Sequence, residues 1–137
     1  MTPVSAIRFD VLTIFPGMFV GPLDQSILGR AQAAGLVTVQ VHDLRDWTHD
    51  RHRTVDDAPF GGGPGMVMKP EPLFEAIEAI QPLAEPRATV VFMSPQGRRL
   101  NRALVDELAA YPRLLLVCGR YEGVDELVLE HAVDMEV

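Results

Sequence analysis

Lysine, cysteine and long apolar runs are what this sequence has least of. Lys69 is the only lysine, beside eleven arginines, and the formal net charge is −7. That balance argues against a sequence-blind nucleic-acid binder, whose affinity would rest on neutralising phosphates. It leaves room for a site where a few arginines are concentrated locally. Cys118 is the single cysteine, so no internal disulfide can form, and a reducing compartment is expected. No apolar run is long enough to span a bilayer. The first residues lack the basic start, apolar stretch and small-residue cleavage site of a secretory leader. A cytoplasmic protein with no membrane partner is the expectation. Also missing are a G-x-G-x-x-G fingerprint and the Gly-Lys-Ser/Thr ending of a P-loop, which argues against a Rossmann or P-loop nucleotide site.

What is present reads as one globular domain. The 137 residues are 47% hydrophobic and 23% charged, enough to bury roughly two-thirds of the unfolded surface. Ile7–Ile14 is a β-branched strand stopped by Phe15-Pro16-Gly17. Helical spacing over Met18–Ala34 predicts a helix closed by Gly35. Leu36–His42 alternates as a second strand. A helix opens at Pro70 with Leu73, Phe74, Ile77 and Ile80 on its apolar face. Thr89–Met93 and Leu114–Cys118 are apolar runs typical of parallel strands covered on both sides. Between them Asn101 caps a helix over Arg102–Ala110, with Leu104, Val105 and Leu108 inward. Val124–His131 reads as a short helix and Val133–Val137 as a strand just begun, which implies further sequence after Val137. Strands alternating with helices predict an α/β fold, a mostly parallel sheet with helices on both faces. Ligands in such sheets sit at the strands' carboxyl ends, so the loops after His42, Met93 and Cys118 are candidate walls of one site.

The longest of these loops, Arg45–Met68, holds four aspartates, three arginines, the only tryptophan and the run Gly61-Gly62-Gly63-Pro64-Gly65. A loop of this length without regular structure is usually functional or disordered. His49-x-x-His52 with neighbouring aspartates could ligate a metal, but no cysteine partner accompanies it. The bland alternative pairs Asp50, Asp56 and Asp57 with Arg51 and Arg53 on a solvated turn, worth about 0–1 kcal/mol per pair. Read functionally, the arginines contact phosphate or guanine edges, and His and Asp side chains hydrogen-bond a base. Side-chain-free backbone at Gly61–Gly65 would allow close approach to a flat ligand. Cys118 ends an apolar strand and is expected to be buried and inert. Arg98, Arg99 and Arg102 read as a solvated helix face.

Five segments taken together are specific. Phe15-Pro16-x-Met18-Phe19, Arg45-Asp46-x-Thr48-His49-Asp50-Arg51-His52-Arg53-Thr54-Val55-Asp56-Asp57, Gly61-Gly62-Gly63-Pro64-Gly65-Met66, Ser94-Pro95-Gln96-Gly97 and Cys118-Gly119-Arg120-Tyr121-Glu122-Gly123 resemble the bacterial tRNA (guanine-N1)-methyltransferases of the TrmD type. The resemblance runs from about Ile7 to Val137, in the same order and at compatible spacing. It implies a SPOUT-class fold with a trefoil knot, an exception to the rule that chains avoid knots. It implies a homodimer, S-adenosyl-L-methionine as cofactor, tRNA as partner and Mg2+ as an assisting ion. It places Phe92, Met93, Ser94, Pro95, Gln96, Gly119 and Glu122 against the cofactor. His52, Asp56, Pro64, Gly65 and Tyr121 would hold the guanine just 3′ of the anticodon. On this reading residues 1–137 are the methyltransferase domain short of its last knot loop, without the C-terminal tRNA-gripping domain. The family's catalytic aspartate falls beyond Val137, so these residues alone are expected to be inactive or nearly so. The competing readings are a non-catalytic α/β nucleotide-binding or dimerisation module and, last, a metal-dependent hydrolase built on His49 and His52.

Overall fold

Asp10 is wholly buried in the middle of the first strand, and the sheet is assembled around it. The computed structural model describes residues 6–57, 67–119 and 126–137. Strands β1 (Ile7–Thr13), β2 (Val37–Asp43), β5 (Thr89–Met93), β6 (Arg113–Cys118) and β7 (Met135–Glu136) form one sheet in the order β2-β1-β6-β5-β7. Every pairing in it is parallel. A second, two-stranded antiparallel ladder joins β3 (Asp56–Asp57) to β4 (Val67–Met68) inside the long polar loop.

Alternation along the strands sorts side chains onto two faces. Leu12, Ile14, Val90, Phe92, Leu115 and Val117 meet Leu73, Ala76, Ile77 and Ile80 of α2 (Pro70–Ile80) and Val128 of α4 (Glu126–His131). On the other face Val91, Leu114 and Val137 meet Leu104 and Leu108 of α3 (Arg102–Ala109). The expected α/β layering is therefore present, with helices on both faces. Among the described residues no helix is long and apolar enough to cross a membrane.

The amino end of the sheet is locked by charge. Arg113 is 1% exposed and donates from Nε to Asp10 Oδ2 at 3.0 Å. Its remaining donors reach the carbonyls of Ile80 (2.8 Å), Gln81 (2.7 Å), Ala84 (2.6 Å) and Pro86 (3.2 Å). The last turn of a helix leaves carbonyls without intrahelical partners, and here one guanidinium takes the last of them, Ile80 O, together with three carbonyls of the segment that follows α2. Asp10 also accepts from both Arg8 nitrogens at 3.0 Å and lies 2.9 Å from His42 Nε2. Burial pushes its carboxyl upward, but the bonds from His42, Arg8 and Arg113 outweigh that and hold it well below the usual carboxylate range.

Two expectations need correction. The segment Met18–Ala34 is not one helix. It breaks into 3-10 turns at Pro16–Phe19 and Pro22–Asp24 before α1 (Ser26–Ala33) begins. Gly21-Pro22 is the cause, since Gly21 adopts φ +94° and Pro22 removes a backbone donor. Within α1, Ile27 is 76% exposed and Leu28 47%. Val105, expected inward on α3, is also exposed. The C-terminal signal did hold. Gly35 at φ +74° ends α1 in a Schellman motif, with Leu36 N–H on Ala31 O and Gly35 N–H on Gln32 O.

Candidate functional site

The turns after β5 and β6 lie side by side because the two strands pair in register, Met93 opposite Cys118. Phe92 is buried at the end of β5, whereas Met93, Pro95 and Gln96 are exposed and Ser94 half-exposed. Gly119 follows directly on β6. A Cβ there would fall 2.8 Å from the Phe92 ring and 3.8 Å from the Met93 carbonyl, so with the ring in this position the backbone passes close to its edge because Gly119 has no side chain. Five predicted cofactor residues from β5 and its turn, together with Gly119, thus form one patch. Glu122, the seventh, lies outside the described residues.

The turn after β5 also clasps the last strand. Ser94 N–H donates to Val137 O at 2.7 Å, Arg98 N–H to Glu136 O at 3.0 Å, and Val137 N–H to Phe92 O at 3.0 Å. Gly97 makes the clasp sterically possible. A Cβ on it would lie 2.6 Å from both Glu136 C and Val137 N. An open cleft of about 600 Å3 opens on this side, lined by Gln96, Gly97 and Arg98 together with Leu129, Asp134 and Glu136 among others.

The polar loop is more built than its composition suggests. Leu44 and Val55 are buried in the α2-side core, and Trp47 packs against it. Lys69 N–H donates to Val55 O at 2.7 Å. Between these anchors Leu44–Trp47 forms a 3-10 turn whose first donor, Arg45 N–H, is capped by Asp43 Oδ1 at 2.9 Å. Asp50 then closes a second turn by accepting from Thr54 N–H at 2.8 Å and from its hydroxyl. Those two bonds lower the Asp50 pKa. Arg53 sits in the left-handed region at φ +52° and turns back into the loop, with Nε on Arg45 O at 3.2 Å and NH2 on Asp46 Oδ1 at 2.9 Å. The expected partner of Arg53, an aspartate at 50, 56 or 57, is replaced by Asp46 because the left-handed residue reverses the chain. His49 reaches across to Glu75 of α2 at 2.8 Å. His52 and Arg51 project to solvent, and Asp56 is half-buried on β3. Pro64, Gly65 and Tyr121, the other guanine-side residues, lie outside the described residues.

Among the described residues these two sets lie apart. The polar loop follows β2 at one edge of the sheet, while β5 lies beyond β1 and β6, three spacings or roughly 14 Å away. A separate cleft of about 580 Å3 on the loop side is lined by Trp47, Thr48, His49, Asp50, Thr54, Lys69 and residues of α2. Of the three loops expected to wall one site, the described residues bring together those after Met93 and Cys118, and the described part of the loop after His42 lies apart from them.

Other candidates fall to bland roles. Burial pushes the Cys118 thiol up, away from the thiolate a nucleophile needs. Arg98 pairs with Glu107 and Arg102 with Asp106, a solvated helix face. Among the described residues no group of three or more His, Cys, Asp or Glu side chains could hold a metal. Sequence reasoning overlooked Arg45 as a hub and Glu75 as the partner of His49. Neither carries a local signal, since both contacts span loop and sheet or loop and helix.

The comparisons with known proteins agree with this geometry. A family profile described as tRNA (Guanine-1)-methyltransferase TrmD matches residues 7–137. A tRNA (guanine-N(1)-)-methyltransferase of Chloroflexus aggregans is 60% identical over 95% of this chain and 51% of its own length. One of Salinispora tropica is 57% identical over 91% of the chain and 48% of its own length. The crystal structure of tRNA (m1G37) methyltransferase from Aquifex aeolicus superimposes with a TM-score of 0.86 at 42% identity, covering 97% of this chain and 59% of that one. The chain thus spans about half the length of the relatives it matches. With the profile covering the whole described sheet and both loop sets, the chain belongs to the tRNA (guanine-1)-methyltransferase TrmD family.

Proposed function

We propose that the protein carrying this chain is a cytoplasmic, homodimeric enzyme that methylates tRNA at N1 of the guanine immediately 3′ of the anticodon, using S-adenosylmethionine. The observation that carries this reading is the paired turn at the carboxyl ends of β5 and β6. There Gly119 brings bare backbone against Phe92, and Met93, Ser94, Pro95 and Gln96 present apolar and hydrogen-bonding surface. Such a patch fits an adenosyl group: a flat apolar base, a ribose wanting hydrogen bonds, and backbone close enough to reach it. Bound there, S-adenosylmethionine supplies an electrophilic methyl group.

The residues of this chain would hold and orient. Phe92 and Met93 cover the base, Ser94 and Gln96 offer polar groups, and Gly119 gives a backbone hydrogen bond. His52 and Asp56, with Pro64, Gly65 and Tyr121, hold a guanine taken out of its stack, an extrusion that costs a few kcal/mol and needs a pocket. Guanine N1 carries a proton at neutral pH, so a positioned general base is worth about 10²–10⁴-fold. Asp56 is a carboxylate on the guanine side, but the family resemblance gives deprotonation to an aspartate outside these residues. We therefore expect the 137 residues by themselves to leave N1 unmethylated. For Mg2+, the described residues offer no closed ligand set.

A homodimer gives the separation of the two sets a reason. A second copy can bring its guanine-side loop to the first copy's cofactor turns. The exposed Met18, Val20, Ile27 and Leu28 near α1 supply apolar surface of the kind that marks interfaces. The wrapped turn at Ser94–Arg98 around β7 supports a knotted SPOUT fold. The test is methyl transfer from labelled S-adenosylmethionine to unmodified tRNA by the protein as the cell makes it. Label at guanine N1 supports the reading, and label elsewhere or none refutes it. Label incorporated by the 137 residues alone would refute the expectation that they are inactive.

A further inference from the structure

We infer that Arg45 is a positioning residue: it fixes the His49–Asp56 segment to the carboxyl end of β1, so that the guanine-side loop is set before RNA arrives. This rests on the reading of that loop as the substrate wall. The guanidinium of Arg45 works outward from the loop. NH1 donates to the carbonyl of Ile14, a buried residue just past β1. The same group lies 6.0 Å from the centroid of the Phe15 ring, within range of cation–π attraction. The backbone of Arg45 works inward. Its carbonyl accepts from Thr48 Oγ1 at 2.7 Å, Thr48 N–H at 3.2 Å and Arg53 Nε at 3.2 Å. Its N–H is held by Asp43 at the end of β2.

Both halves of the loop therefore converge on one residue. Thr48 immediately precedes the exposed stretch, and Arg53 ends the turn that displays Arg51 and His52. Arg53 holds a left-handed backbone at φ +52°, a conformation unfavourable for a residue with a Cβ. Its bonds to Arg45 O and Asp46 offset that cost. Take the guanidinium of Arg45 off Ile14, and the loop keeps its internal bonds but loses its register against the sheet. Displacements near 1 Å at a distance from chemistry can cost about 10²-fold in rate.

The variants are Arg45→Ala and Arg45→Lys, in the protein as the cell makes it. Lysine keeps a cation near Phe15 and one donor for Ile14, without the planar fork. With unmodified tRNA and labelled S-adenosylmethionine, Arg45→Ala is expected to lower kcat/KM for tRNA by about 10-fold or more, with the KM for S-adenosylmethionine within about twofold. Arg45→Lys should recover part of the loss. Equal damage to both substrates, or no damage to either, overturns the inference. A parallel measurement does not depend on activity: amide exchange at Thr48, Arg53 and Thr54 against Val90 and Leu115 in the sheet. Faster exchange in the loop alone supports the role of Arg45, and unchanged or uniformly faster exchange overturns it. A wild-type protein that leaves guanine unmethylated sinks the proposed function instead, while the exchange comparison still decides what Arg45 does.

Discussion

The two ends of one parallel sheet use polar residues in opposite ways. At the amino end Asp10 and Arg113 are 0% and 1% exposed, and every donor and acceptor shown there is matched within the chain. At the carboxyl end Met93 is 38% exposed, Pro95, Gln96 and Gly119 face solvent, and glycines replace charges. A buried charge survives only when fully partnered, so the amino end spends its ionic groups on holding α2 to the strands. The carboxyl end keeps groups free for a ligand, as parallel sheets generally do. The lesson is that the most perturbed carboxylate among the described residues marks architecture. The candidate site is marked by close backbone approach.

The sharpest way to break this contrast is Arg113→Met. It takes one of three partners from Asp10 and every guanidinium donor from the Ile80, Gln81, Ala84 and Pro86 carbonyls, and should cost about 3–5 kcal/mol, read as a lower urea midpoint. At the other end Gly97→Ala forces a Cβ against the Glu136 and Val137 backbone, which cannot step aside. About 1–3 kcal/mol is expected. Gly119→Ala meets only the tip of the Phe92 ring, a side chain that can turn. Its stability loss should be smaller than that of Gly97→Ala, while S-adenosylmethionine affinity falls in a calorimetric titration. Acid should separate the ends too. The Asp10 carboxyl is depressed in the fold, so its stabilising share is complete above the unfolded value, about 3.9. That share drains as pH falls below it toward the folded value. Asp10→Asn should flatten the limb of a stability–pH curve below pH of about 4. The smallest effect on folding is expected from His52→Ala. It should change stability by no more than about 0.5 kcal/mol, as at an exposed site, yet weaken tRNA methylation.

Much of the fold was legible because strand periods and helix stops are local. Thr89–Met93 is observed as β5 with the expected limits, Asn101 Oδ1 caps Leu104 N–H at 2.9 Å, and Gly35 closes α1. Where the reading failed, long-range facts decided. Helical spacing over Arg102–Ala110 set Val105 inward with Leu104 and Leu108, yet Val105 is exposed, because which face a helix turns inward depends on what packs there. The network around Asp10 joins residues 103 positions apart, beyond any local pattern. The polar loop looked poor in core-forming residues, yet Leu44 and Val55 anchor it. Single apolar residues among charges give no periodicity to read. Five of the residues that the resemblance sets against the cofactor are contiguous in sequence, so they fall in one turn. Arg45 could not be placed that way, because its contacts to Ile14 and Phe15 cross about 30 positions.

The contrast between the sheet's ends is tested most directly by amide exchange with and without S-adenosylmethionine, in the protein as the cell makes it. The account predicts added protection at Phe92–Arg98 and Gly119, with none at Arg8, Asp10 or Arg113. Protection at the amino end, or none at the paired turns when the cofactor is bound, would contradict it.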